Sequence, residues 1–135
     1  MESKEHDMIN IKELDECELK RKYGNKLERY IRFAEDAVFG SKKGIEYTFY
    51  KVRNSNITYI TKNWDIENSK KAYVYNEKMY VSDWAMEQNK ETLMHIIIHE
   101  LMHIFYPDYT EEAVIKYTDI EFEKLKKDYK WIVFS

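Results

Sequence analysis

The hydrophobic positions of the first forty residues recur at helical spacing. Ile11, Leu14, Leu19 and Tyr23 form one run, and Leu27, Tyr30, Ile31, Ala34, Ala37 and Val38 a second. Gly24-Asn25 between them reads as a helix stop, and the segment Gly40-Ser41-Lys42-Lys43-Gly44 closes the second run. The pattern predicts a pair of amphipathic helices laid over a core. From Ile45 the period changes. Ile45 to Val52 (IEYTFYKV) is aromatic and β-branched, Asn54-Ser55-Asn56 marks a turn, and Ile57 to Thr61 reads as a second strand. A polar stretch, 63–71, reads as a loop. Ala72–Tyr75 and Met79–Val81 flank Asn76-Glu77-Lys78, which predicts a hairpin with a three-residue loop.

A long apolar helix is expected from a cap at Asn89 through Phe105, ended by Pro107. Asp108 or Thr110 can cap a further helix running to about Tyr129. The apolar tail Trp131-Ile132-Val133-Phe134 is expected to dock as a strand or extended segment. The fold class read from this order is α+β, in one domain over 1–135. It holds an N-terminal helical pair, a small mostly antiparallel sheet, and two helices in succession.

Composition narrows the function. The chain has 135 residues, 44% hydrophobic and 16% aromatic, enough to bury a core without staples. One cysteine, Cys17, excludes an internal disulfide and a Cys-based zinc cluster. A net charge of −3 argues against a broadly basic nucleic-acid binder. The opening MESKEHDMIN lacks the apolar run of a secretory signal, and no stretch has the length of a membrane span. The expectation is a cytoplasmic protein with no nucleic-acid or membrane partner.

The informative segment is Leu93 to Phe105, LMHIIIHELMHIF. It contains His99-Glu100-Leu101-Met102-His103, the HExxH pattern. Residues four apart on a helix share one face, so two imidazoles at this spacing can chelate one Zn²⁺. Glu100 sits about 100° around the helix from His99. From there it can act as general base and acid on a metal-activated water without ligating the metal. The flanks Ile96, Ile97, Ile98, Ile104 and Phe105 are apolar. Two His and a Glu amid such residues need a reason, because buried polar groups are costly unless satisfied.

HELMH in an apolar helix, after a strand ending YVSDW, resembles the HExxH zincin metallopeptidases. The resemblance spans Met79 to about Glu121, and the small size is similar to the single-domain minigluzincins. It implies a zincin-like active-site helix followed by a ligand-bearing helix, a peptide or protein substrate, and zinc-dependent peptide-bond hydrolysis. It also implies that substrate lies extended along the strand before the motif, at Tyr80, Val81, Ser82 and Asp83. A catalytically inactive zincin-fold metal protein, structural or regulatory, is the alternative.

Catalytic zinc usually takes three protein ligands. Metzincins place a His six residues after the second motif His, but that position here is Tyr109, and no His follows His103. Gluzincins use a Glu on the next helix. The candidates are Asp108, Glu111, Glu112, Asp119 and Glu121, with Tyr109 as a non-carboxylate option. Ile115, Thr118, Phe122 and Leu125 make an apolar stripe with Val114 alongside, and Glu111 extends it one turn toward the helix start. Glu111 is therefore the expected third ligand, with Glu112 the first alternative. His95, one turn before His99, is expected to pack or hydrogen-bond near the site. Asp119 or Glu121 can orient a ligating imidazole. Tyr106, Tyr109 and Tyr117 are candidates to stabilise an oxyanion.

Overall fold

The computed structural model describes the backbone of residues 2–52 and 71–134 and the side chains of 15–52 and 71–134. Among the described residues the fold is α+β, with five helices and one three-stranded sheet. The expected turn at 54–56, the strand Ile57–Thr61 and most of the loop 63–71 lie outside them.

In place of the expected helical pair, one helix, α1, runs unbroken over Glu2–Ala37. Leu19, Tyr23, Leu27, Tyr30, Ile31 and Ala34 are buried along one face that passes straight through Gly24-Asn25. A helical Gly costs about 1 kcal/mol relative to Ala, less than the burial of the apolar side chains on either side contributes. The real stop is Gly40, at φ +64. There the amides of Gly40 and Ser41 reach back to the carbonyls of Asp36 and Glu35. Buried Glu35 then fixes the exit of the chain. Its carboxylate accepts from the Ile45 amide at 2.9 Å and from Arg32 Nη1 at 3.2 Å.

The sheet comprises β1 (Tyr47–Tyr50), β2 (Ala72–Tyr75) and β3 (Lys78–Ser82), in the order β1-β3-β2. β2 and β3 pair antiparallel, but β1 pairs parallel with β3, Tyr47 opposite Met79 and Tyr50 opposite Ser82. The sheet is thus half parallel among the described strands, rather than mostly antiparallel. Periodicity sets which residues face the core but not the direction in which distant strands meet. Phe49, Ala72, Met79 and Val81 are buried.

The hairpin between β2 and β3 is tighter than expected. Tyr75 pairs with Lys78, leaving a two-residue turn, Asn76-Glu77, with φ of 50° and 61°. Two residues in the left-handed region give the turn whose twist matches that of the strands. Glu77 carries a Cβ there at a cost that glycine avoids. Glu77→Gly should therefore raise stability by about 0.5–1 kcal/mol, or about 2–4 °C in the thermal midpoint. A lower midpoint in a calorimetric melt would contradict this account of the turn.

Ser82 caps the short helix α2 (Asp83–Met86), its hydroxyl accepting from the Ala85 amide. Asn89 caps α3 (Lys90–Phe105). Leu93, Met94, Ile97, Ile98 and Leu101 are fully buried, so α3 lies in the centre of the molecule, touching α1, the sheet and the next helix. After Phe105 the chain turns through Pro107. Thr110 caps α4 (Glu111–Lys126), which ends a little before the expected Tyr129. The tail is a helical turn, α5 (Tyr129–Ile132), and not an extended segment. Asp128 caps it, Trp131 is buried against Phe33, Phe122 and Phe134, and Lys90 Nζ donates to the Trp131 carbonyl at 2.7 Å. No described helix is long and apolar enough to cross a membrane.

Candidate metal centre

His99 and His103 stand one turn apart on α3, with ring centroids 5.1 Å apart. The turn from Tyr106 to Thr110 folds α4 back against α3, so the first residue of α4 arrives opposite both rings. That residue is Glu111. Its carboxylate spans the pair, Oε1 lying 2.8 Å from His99 Nε2 and Oε2 3.1 Å from His103 Nε2. Three potential ligand atoms, one from each residue, lie within 4.8 Å of one another. A cavity of about 270 Å³ opens on the group, lined by Ala72, Tyr73 and Val74 of β2 together with His99, Glu100, His103 and Glu111.

The donor set suits a small borderline cation. Tetrahedral zinc with bonds of about 2.0–2.1 Å holds its donors roughly 3.3 Å apart. The observed separations of 2.8 and 3.1 Å need only a small outward movement to reach that value. Two imidazoles and one carboxylate also leave a coordination position for a water or substrate. Burial depresses the His99 pKa, with His103 and His95 adding to the effect and Glu111 opposing it. A His held neutral is the form that can ligate.

Glu100 is buried beside this group, 8% exposed. Its carboxyl pKa is pushed well above the usual range, first by burial and then by the Glu111 charge, while the Lys71 ammonium pulls it down. A divalent cation held at Glu111 would reverse the sign of that neighbouring field and bring the value back toward ionisation.

No family model, curated protein or solved structure matches this chain.

The other sequence candidates fall elsewhere. Glu112 and Asp108 are exposed and outside the cluster. Asp119 pairs with His95, Oδ1 to Nε2 at 2.8 Å, and does not orient a clustered imidazole. Glu121 pairs with Lys124 at 3.4 Å. Tyr109 stacks on Tyr106 and packs at a tilt against Tyr117, and none of the three lines the cavity. The buried stripe of α4 runs through Val114, Thr118, Phe122 and Leu125, whereas Ile115, expected on it, is 49% exposed. Glu111, three residues before Val114, is in phase with the corrected stripe but is itself exposed, its side chain 53% accessible.

The strand expected to carry substrate is also displaced. β3 is the central strand, hydrogen-bonded on both sides, and buried Ser82 and the Asp83 carboxylate are engaged in capping and in holding the Val52 amide. The strand at the cavity is β2, which the sequence marked only as half of a hairpin. Nothing in its residue types tells which strand overlies the motif helix.

If Glu111 closes the centre, Glu111→Ala should weaken zinc affinity by more than about tenfold and Glu112→Ala should change it little. Competition with a chelating dye measures both. The reverse ranking would move the role to Glu112.

Proposed function

We propose that the chain is a zinc-dependent peptidase of the HExxH zincin type. The observation that carries this reading is the Glu111 carboxylate set across both motif imidazoles, in a cavity that also holds Glu100. His99, His103 and Glu111 would hold the metal. When bound, zinc supplies a Lewis acid for a carbonyl oxygen and lowers the pKa of water toward ~7.

The rest is work for the chain's own residues. Glu100, adjacent in sequence to His99 but turned about 100° from it, takes the proton of the attacking water and returns it to the leaving amine. Its burial excludes bulk water as a competing proton donor. β2 forms the facing wall. Among the described residues it pairs with β3 alone, so its outer edge has backbone groups that can hold a peptide in extended form. A cleft of this size, with one wall a strand edge, suits an unfolded segment better than a folded domain.

The test is hydrolysis of an unstructured protein by the zinc-loaded chain, with Glu100→Gln as control. Cleavage that depends on both zinc and Glu100 supports the reading. Stoichiometric zinc without cleavage would favour a metal-holding structural or regulatory protein instead.

A further inference from the structure

The metal cavity has a neighbour. A second hollow of about 250 Å³ is lined by Lys71, Glu91, Thr92, His95, Ile96 and Phe122. It lies one turn of α3 toward the helix start, since His95 precedes His99 by four residues. Lys71, which lines the second hollow, is followed directly by Ala72, Tyr73 and Val74, which line the first. The floor of the second hollow is apolar, from buried Ile96 and Phe122.

Two of its polar side chains are paired. His95 is held by Asp119 at 2.8 Å, and Glu91 faces Lys126 at 3.6 Å. The Lys71 carbonyl accepts from Ser82 Oγ at 2.8 Å. Lys71 is half-buried as a residue, and its ammonium has no hydrogen bond or ion pair among the described residues.

We infer that the hollow beside Lys71 binds a carboxylate of the substrate, placed within two residues of the scissile bond. The inference rests on the peptidase reading. A lysine that lines an apolar-floored hollow and has no partner among the described residues matches a group with a charged end and a short methylene stem. One helical turn is about 5.4 Å, and an extended peptide advances about 3.3–3.4 Å per residue, which gives the stated spacing. The carboxylate can come from an Asp or Glu side chain or from a free chain terminus.

The experiment is cleavage of a randomised peptide mixture by the zinc-loaded protein, in free-acid and C-terminally amidated forms, with cut sites read by mass spectrometry. Asp and Glu should exceed Asn and Gln by about fivefold at one position flanking the cut, the scale of a partly exposed ion pair. Lys71→Glu should invert that preference toward Lys and Arg with zinc content unchanged. A preference for free over amidated termini, without one for acidic side chains, assigns the carboxylate to the chain end. Cleavage with neither preference, or a preference that survives Lys71→Glu, overturns the inference and leaves the peptidase reading standing. Calorimetric titration of the Glu100→Gln protein with a Glu-containing hexapeptide and its Gln counterpart separates the opposite case. If nothing is cleaved, yet the Glu peptide binds about fivefold more tightly and Lys71→Glu removes the difference, the peptidase reading fails and the carboxylate site stands. Equal binding of the two peptides overturns the site.

Discussion

The Glu100→Gln protein should keep one zinc per chain and lose at least ~10² of the hydrolytic rate, about 2.7 kcal/mol of transition-state stabilisation. The amide keeps the size of the carboxyl and some of its hydrogen bonding but cannot take a proton. Glu100 is outside the three-residue cluster, so metal content should not change. The substitution also removes a carboxyl held up by burial, which favours the protein's stability if anything. A fall in rate without a fall in stability is therefore the signature of a base rather than of a structural residue. The parent should lose activity as pH drops through the Glu100 pKa, because the base works only when ionised. Burial and Glu111 place that acid limb above the ordinary carboxylate range, and a cation at Glu111 moves it down again. Equal activity in parent and variant would remove Glu100 from the mechanism.

His103→Ala should abolish stoichiometric zinc binding and the stability that zinc confers. The variant leaves His99 and Glu111 as the only members of the cluster, too few to hold the metal tightly. A ligand present at 100 to 1,000 times its dissociation constant stabilises the native state by about 2.7–4.1 kcal/mol. For a chain of this length that is roughly 10 °C in the thermal midpoint. Added zinc should raise the midpoint of the parent by that amount and leave the variant unmoved. His103 is half-buried at the cavity rim, so its loss should cost the metal-free fold little. A variant that still carries one zinc per chain would mean the metal lies elsewhere.

Local patterns in the chain marked much of this site. HELMH specifies two imidazoles on one helical face and a carboxyl beside them wherever that helix lies, because the period of an α-helix is fixed. Asn89, Thr110 and Pro107 mark helix ends because capping and the proline ring act within a few residues. Glu111 could be singled out by phase even though the stripe it extends runs through Val114 and not Ile115. Both lie on neighbouring rows of the helix, and α3 and α5 decide which row is covered.

What escaped the sequence is what depends on distant contacts. Gly24-Asn25 looks like a stop, yet α1 passes through it because the face on both sides is buried against the sheet and α3. The apolar tail could be strand or helix. Trp131 docking among Phe33, Phe122 and Phe134, with Lys90 binding the carbonyl, chose a helical turn. The parallel pairing of β1 with β3 placed β3 at the centre of the sheet and left β2 over the cavity at His99, His103 and Glu111, with Lys71 lining the second hollow. The sequence by itself determined how the side chains of the motif are arranged, since spacing along one helix needs nothing beyond that helix. Only the tertiary structure decided which strand faces the motif and which cation stands beside it, because strand order is set by side chains meeting across long sequence separations and not by any one segment's preference.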